Sequence, residues 1–485
     1  MSTLGDKPPP PPASQGSSSI GVRAALRYTG LPVWLAKRPK LPSRNWLIFI
    51  GVTSSLLGLY TYDRKKCKDI REKYTRRVSH LAQEPMDSME LPRKVTVYAS
   101  KWPGDEDVNR SLKYFRKYVK PVLVAAAIDY DVMNGRHHGD LARQISDKIK
   151  AKRRIDEGLE APTSSPVPTP TNYSKEELAI RELQGGSIII GRMTFKEYME
   201  GLKRGWTESP ERIDGEERLA HELEGDGRFD EPEPENSASE LSGEPIPTKS
   251  RLMSAENARA FSPYKLASQS TATSTSMSST SDILPPETIP PQPPLLLVPF
   301  TNRIGFKQIP MMIVDFFNKR AKVKAGAEAA YRLIMAHARP ISGPPPSPTG
   351  APLFSPDELL PENDLDFDRL GESYYQKSVL LFRDNIVKAR EDYYRTLSER
   401  LATARALARG EREPSKDEMN HPPPTEVELR QERLTKEIRW RNNEEGWEII
   451  RPDKDVPWDE RFRGSLSIFT DPPEEPTNEN SRISH

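Results

Sequence analysis

The sequence predicts an α/β fold built on a parallel sheet, with one N-terminal transmembrane helix before it and long C-terminal helices after it. Three observations support this fold class: one uncharged apolar run lies near the N-terminus, short β-branched runs alternate with helical patterns, and long charged segments with helical spacing follow. The 485 residues include 47 prolines and 29% charged residues, and the mean hydropathy is −0.71. Extensive disordered linkers are therefore expected between the folded parts.

The one long apolar run, "NWLIFIGVTSSLLGLYTY", covers residues 45–62. Residues 46–62 carry no charge and as a helix would reach roughly 25 Å, near the lower limit for a bilayer span. Trp46 at one end and Tyr60 with Tyr62 at the other match the aromatic belts of membrane surfaces. A buried helix of a soluble domain is the alternative, but both flanks are dense in basic residues. The run lies too far along the chain for a cleaved secretory signal, so we expect a permanent single anchor.

Residues 63–90 are expected to form a basic helical stem after the anchor. Its first basic side chains are Arg64, Lys65, Lys66, Lys68 and Arg71. Such a stem can bind anionic lipid head groups, and a solvated charged face explains it equally well.

Strand-like and helical patterns alternate across residues 91–206. Three β-branched runs predict strands at residues 93–100, 129–136 and 185–191. Amphipathic patterns predict a helix after each strand, the first of which Pro121 can kink. This order predicts parallel strands with right-handed crossovers, interrupted by a Pro/Ser/Thr linker near 158–172.

The rest of the chain is expected to alternate between order and disorder. The apolar stretch "LLLVPF" suits an inner strand, and apolar positions at helical spacing predict a long helix over residues 370–409. Its aromatic residues Tyr374, Tyr375, Tyr393 and Tyr394 can dock partner subunits or, more commonly, pack on their own domain. The expected segments are a disordered N-terminus (1–44), the anchor (45–62), the stem (63–90), the α/β unit (91–206), a disordered linker (207–292), a continuation of the unit (293–340), a loop (341–362), a helical region (363–470) and a disordered tail (471–485).

Charge and cysteine content exclude several classes of function. The 72 basic residues nearly cancel the 71 acidic ones, so no overall field favours a nucleic-acid partner. The single cysteine, Cys67, excludes an intramolecular disulfide and, with seven scattered histidines, argues against a zinc site. Basic neighbours favour the thiolate of Cys67, so a reactive or redox-sensing thiol is the alternative to the idle surface thiol that we expect. We expect His137-His138 to lie in a solvated turn, and we expect no metal or cofactor.

Several long blocks together carry a family resemblance. They are "KLPSRNW" before the run, "YDRKK", "PRKVTVYAS", "YVKPVLVAAAIDYDV", "IIIGRMTFKEYMEGLKRGW" and "EEGWEIIRPDKDVPWDERFRG". In this order they resemble the fungal fifty-four-kilodalton subunits of the mitochondrial inner-membrane carrier translocase. The resemblance implies a non-enzymatic subunit that stabilises the complex inserting multi-pass carrier proteins. It also implies channel-forming and small chaperone subunits as partners, together with inner-membrane lipids.

The resemblance also implies a topology, with a short N-terminus in the matrix and the large domain in the intermembrane space. The flanking charges favour the reverse, since four basic residues lie close before the run and eight follow it. We follow the resemblance, because long domains translocate largely regardless of flanking charge.

The α/β segment is also similar to the N-terminal half of a diacylglycerol-type lipid kinase domain. Those kinases carry a Gly-Gly-Asp-Gly-Thr turn after the third strand, where backbone amides approach the nucleotide phosphates. Here the turn reads Gly191-Arg192-Met193-Thr194, which is one residue short and lacks the acidic side chain. The resemblance therefore implies a degenerate, catalytically silent unit. A membrane-tethered lipid kinase or another nucleotide-using enzyme remains the alternative to a translocase scaffold.

Overall fold

The computed structural model describes residues 43–86, 92–160, 175–212, 214–230, 285–344 and 363–472. Most of the expected N-terminal disordered segment, of the 158–172 linker, of the 341–362 loop and of the C-terminal tail lies outside the described residues. The chain divides into two compact units, residues 1–66 and residues 67–485.

One six-stranded sheet organises the second unit. Its strands are β1 (Lys94–Ala99), β2 (Asp129–Asn134), β3 (Ser187–Ile190), β4 (Leu295–Val298), β5 (Ala338–Pro340) and β6 (Ser467–Phe469). The spatial order is β2-β1-β3-β4-β6-β5, and every neighbouring pair is parallel except the antiparallel pair of β5 and β6. The predicted parallel α/β sheet is confirmed for its first four strands. The two short strands β5 and β6 extend it.

The helices follow the predicted alternation closely. They are α1 (Arg44–Val78), α2 (Arg110–Tyr118), α3 (Lys120–Ala125), α4 (Asp140–Asp156), α5 (Lys175–Gly185), α6 (Arg192–Thr207), α7 (Gly215–Glu224), α8 (Ile309–Phe317), α9 (Lys319–Met335), α10 (Gln376–Ala408), α11 (Lys416–Asn420) and α12 (Glu426–Ile450). The kink expected at Pro121 is a break, and the proline occupies the first turn of α3.

Alternate residues of each central strand face the two sides of the sheet. Val95 and Val97 join one hydrophobic cluster with residues of α2, α3 and α9, whereas Tyr98 joins a second cluster with residues of α4 and α6. All four residues of β3 are buried. This pattern is typical of a sheet covered by helices on both faces.

The C-terminal helices pack on the α/β unit. Gly446 of α12 lies so close to the turn before α4 that an added Cβ would be 2.1 Å from the carbonyl oxygen of His138. The stripe residues Tyr393 and Leu397 of α10 pack against Leu429 and Trp440 of α12. Of the aromatic residues expected either to dock partners or to pack on their own domain, Tyr375 and Tyr393 are buried and pack on their own domain.

Three expectations differ from the structure. Helix α7 lies inside the stretch expected to be a disordered linker, and its Leu219 is buried. His138 is buried rather than solvated, because the ring of Phe382 from α10 covers it at 5.3 Å. Cys67 is buried with Tyr118 and Val323 instead of lying on the surface.

Candidate functional site

The turn between β3 and α6 contains Gly191, Arg192, Met193 and Thr194, which the sequence predicted as a degenerate phosphate-binding turn. Gly191 has a φ of +80°, a conformation that favours glycine, and its N–H donates to the carbonyl oxygen of Val298 at 2.8 Å. An added Cβ at Gly191 would lie 3.3 Å from Cβ of Phe300. The space above the turn is therefore filled by a protein side chain.

Arg192 is directed into the protein and is only 3% exposed. Its Nε donates to Glu372 Oε1 at 2.6 Å, and its NH1 donates to the carbonyl oxygens of Leu365 and Phe367 at 2.8 and 2.9 Å. The guanidinium of Arg192 therefore has its acceptors inside the protein.

Lys196, one turn further along α6, shares the same carboxylate. Its Nζ lies 2.6 Å from Glu372 Oε1 and donates to the carbonyl oxygen of Arg451 at 2.9 Å. The side chain is fully buried, and this burial lowers the pKa of Lys196. One carboxylate thus pairs with two buried cationic side chains, and its removal would leave both without their acidic partner.

The other residues of the turn are also internal. Met193 packs in the first hydrophobic cluster. The Thr194 hydroxyl donates to the carbonyl oxygen of Ile190 at 2.7 Å and accepts from the N–H of Ser100 at 3.1 Å. Gly191, Arg192, Met193 and Thr194 are therefore brought together as a buried junction between β1, β3 and α6.

Two carboxylates reach this junction from a distant segment that sequence reasoning missed. Glu372 lies 180 residues after Arg192, and Asp368 accepts from the N–H of Phe300 at 3.2 Å. Burial raises the pKa of Asp368 to about 6. The turn itself lacks an acidic residue, so the only available signal was the acidic composition of residues 363–372.

Residues 63–78 of the basic stem form the second half of α1. Lys65, Lys66 and Lys68 are exposed, and Arg64 and Arg71 are half-buried. Arg64 lies over the ring of Tyr60, with its guanidinium carbon 4.7 Å from the ring centre, and Arg71 donates to the carbonyl oxygen of Lys117 at 3.3 Å. The exposed lysines make this part of α1 cationic at its surface.

The apolar part of α1 presents its large side chains outward. Those with 43–64% exposure are Trp46, Leu47, Ile48, Phe49, Ile50, Val52, Leu56, Leu57, Leu59 and Tyr62. Within the described ranges, no helix combines the length and the apolar content required to cross a membrane. The exposed side chains nevertheless form a continuous apolar surface of the kind that marks an interaction site.

Comparison with known proteins connects these features to one family. The family model described as "Inner membrane protein import complex subunit Tim54" matches residues 23–392. A relative from Cryptococcus neoformans var. neoformans serotype D, named mitochondrial import inner membrane translocase subunit TIM54, is 37% identical over 461 residues. The match covers 93% of this chain and 95% of the relative.

More distant relatives carry the same name. The protein from Aspergillus oryzae is 38% identical over 172 residues, which cover 35% of this chain and 38% of the relative. The protein from Candida albicans is 27% identical over 353 residues, which cover 65% of this chain and 84% of the relative.

These matches define the class of protein as a subunit of an inner-membrane protein import complex, and not an enzyme. The chain belongs to the Tim54 family. The resemblance to the fungal fifty-four-kilodalton subunits is thereby confirmed.

Proposed function

We propose that the chain is a membrane-anchored scaffold of the mitochondrial translocase that inserts multi-pass carrier proteins into the inner membrane. The observation that carries this proposal is the continuity of α1, which is one helix from Arg44 to Val78. It joins an exposed apolar stretch to the basic stem, and its last turns contribute Tyr74 and Val78 to the hydrophobic core. A helix of this kind is a tether between a membrane and a folded domain.

The proposed anchor is residues 46–62, and it rests on their exposed apolar side chains, their aromatic ends and the family. We assign residues 1–44 to the matrix and the folded domain to the intermembrane space. In that space the domain would contact the channel-forming subunits and dock the small chaperones. The exposed lysines of the stem would lie against the anionic head groups of the membrane.

Within this proposal the α/β unit is a catalytically silent relative of a lipid kinase, retained as a platform. Phosphoryl transfer requires donors that approach the phosphates and groups that neutralise developing charge. Phe300 fills the space above Gly191, and Arg192 and Lys196 are paired with Glu372. These contacts support a structural use of the residues that a kinase would use for nucleotide binding.

A protease-protection assay on mitochondria tests the topology. An epitope at the C-terminus should survive protease in intact mitochondria and be digested once the outer membrane alone is ruptured. A matrix protein serves as the protected control. An epitope that stays protected after rupture, while a known intermembrane-space protein is digested, places the domain in the matrix and contradicts the proposal.

Import into depleted mitochondria tests the function. Loss of the chain should reduce insertion of multi-pass carriers and spare import of matrix proteins that carry presequences. An equal and simultaneous loss of both routes would argue against a dedicated role in carrier insertion.

Lipid phosphorylation tests the enzyme alternative. The full chain, incubated in mixed micelles with Mg²⁺, labelled ATP and mono- or diacylglycerol, should form no labelled phospholipid above a blank without protein. An active lipid kinase provides the positive control. A labelled product that the variant Gly191→Ala no longer forms would contradict the scaffold proposal and support the enzyme alternative.

A further inference from the structure

Helix α8 and the turn before it form a second exposed apolar surface, separate from α1. None of the nine residues of α8 is buried, and Phe306 in the preceding turn is 89% exposed. The exposed apolar side chains are Ile304, Phe306, Ile309, Met311, Met312, Ile313, Val314 and Phe316. A contiguous patch of this kind indicates an interaction site, whereas single exposed apolar residues do not.

The patch is held in place by polar contacts at its edge. Asp315, the only acidic residue of α8, lies 2.6 Å from Arg303 NH1 and 2.9 Å from Lys322 Nζ. Arg303 NH1 also donates to the carbonyl oxygen of Met311 at 3.2 Å. The charge of Asp315 is thus neutralised, and the apolar side chains are presented by a fixed helix.

The sequence around α8 is strongly basic. Residues 303–324 contain one acidic residue and six basic ones, which are Arg303, Lys307, Lys319, Arg320, Lys322 and Lys324. A short apolar helix between basic flanks is typical of a segment that lies in the plane of an anionic bilayer surface. A protein groove would not require this excess of positive charge.

Helix α9, which directly follows α8, packs on the second half of α1. Val323, in the second turn of the next helix α9, packs in one cluster with Cys67. Cys67 follows Tyr62, the end of the proposed anchor, by five residues. Five residues span at most about 18 Å even when fully extended. The chain itself therefore keeps Cys67 within about 18 Å of the end of the proposed anchor.

We propose that α8, together with Phe306, inserts its apolar side chains into the anionic lipid surface of the membrane that holds the anchor. This inference rests on the proposed anchor at residues 46–62. The chain would then contact the bilayer twice, once through the anchor and once through a helix lying in the interface. The second contact would fix the orientation of the domain relative to the membrane.

Depth-dependent quenching in liposomes tests this contact on the full chain. The variant Ile313→Cys, in a Cys67→Ser background, is labelled with an environment-sensitive fluorophore and reconstituted into phosphatidylcholine and cardiolipin vesicles. Val427→Cys on α12 is the matched control, because Val427 is 73% exposed and lies outside the patch. Quencher-bearing lipids should reduce the emission at position 313 severalfold more than at position 427.

The outcomes separate this inference from the anchor proposal. Equal quenching at both positions overturns the inserted helix. Shielding at position 313 that appears only when other translocase subunits are added also overturns it, and assigns the patch to a protein partner. Carbonate extraction of the same vesicles tests the anchor alone. If the chain stays in the vesicles and the probe is not quenched, only the inference about α8 is contradicted. If the chain is released, the proposed anchor is contradicted.

Discussion

The first turns of α6 bury charged side chains, whereas α8 exposes apolar side chains. Both helices differ from the usual distribution, in which charges are exposed and apolar side chains are buried. In α6, Arg192, Lys196 and Glu197 are all buried. In α8, every large apolar side chain is at least partly exposed. Buried charges and exposed apolar patches are the informative exceptions in a folded protein, because each costs free energy unless a contact compensates it.

The difference between the two regions lies in where the compensation is found. The charges of α6 have their partners inside the chain, such as Glu372 for both Arg192 and Lys196. The apolar side chains of α8 instead remain largely exposed among the residues that the structure describes. The buried charges therefore contribute to the fold, whereas the exposed apolar residues serve a contact outside it.

Removal of Glu372 should have the largest effect on the free energy of unfolding among the changes that separate these two regions. The variant Glu372→Ala leaves two buried cations without their carboxylate and should lower the free energy of unfolding by about 3–5 kcal/mol. Chemical denaturation of the full chain in detergent, followed by tryptophan fluorescence, measures the change. The matched control is Asp366→Ala in the same segment, whose ion pair with Arg369 is exposed and should contribute less than about 1 kcal/mol. Equal losses in the two variants would show that the buried cluster does not stabilise the fold.

Glu197 should make stability depend on pH. It is fully buried, accepts from the N–H of Leu141 at 3.3 Å, and burial raises its pKa to about 8 from an ordinary value of 4.5. The folded state therefore favours the protonated form, so the stabilising effect of this proton is complete below pH 4.5 and is lost as the pH rises toward 8.

The isosteric variant Glu197→Gln cannot lose this proton. Its free energy of unfolding should match that of the parent near pH 4.5 and exceed it increasingly up to pH 8, by at most about 1.4 kcal/mol per pH unit. Burial also lowers the pKa of His138 to about 4, so stability decreases as the pH falls below 6.5. Because the parent and the variant share this effect, it cancels when their free energies of unfolding are subtracted. A constant difference across the range would contradict the assignment.

Loss of the Asp315 carboxylate should have a smaller effect. In Asp315→Asn the ion pairs with Arg303 and Lys322 are lost at a half-buried site, and we expect a cost of about 1 kcal/mol. The exposed pair of Lys94 and Asp131 provides the control through Asp131→Asn. Hydrogen exchange of the α8 amides should increase in the first variant and stay unchanged in the second.

Polar replacement of the α8 surface should have the smallest effect on folding. The double variant Ile313→Ser and Val314→Ser should change the free energy of unfolding by no more than about 0.5 kcal/mol, because both side chains are 54% exposed. Leu333→Ala in the adjacent helix α9 removes a fully buried side chain and should cost about 2–5 kcal/mol in the same measurement. A large loss in the double variant would mean that the patch belongs to the core.

The sequence predicted the elements that depend on local patterns. The strand expected at 93–100 is β1 at Lys94–Ala99, and the helix expected after the third strand is α6 at Arg192–Thr207. The strands β5 and β6 were missed, because three residues are too few to show an alternating pattern. Helix α7 was missed because its acidic composition resembles that of a linker, although an N-cap, Asp214, precedes it.

The candidate site was predicted only in part, because its partners are distant in sequence. Gly191 lies between β3 and α6, but no local signal connects Arg192 with Glu372, which lies 180 residues away. Likewise, His138 is covered by Phe382, and Cys67 packs in one cluster with Val323, so both are buried by residues that are distant in sequence. Contacts of this kind are set by tertiary packing, which neither composition nor periodicity encodes.

The position of β6 has a consequence for how the protein matures. β6 lies between β4 and β5, so residues 467–469, close to the C-terminal end, complete an internal part of the sheet. Until they arrive, β4 has an open edge and β5 has no neighbour. The domain therefore remains incompletely folded until residues 467–469 are available, and a molecule interrupted before Ser467 would be a substrate for quality-control proteases.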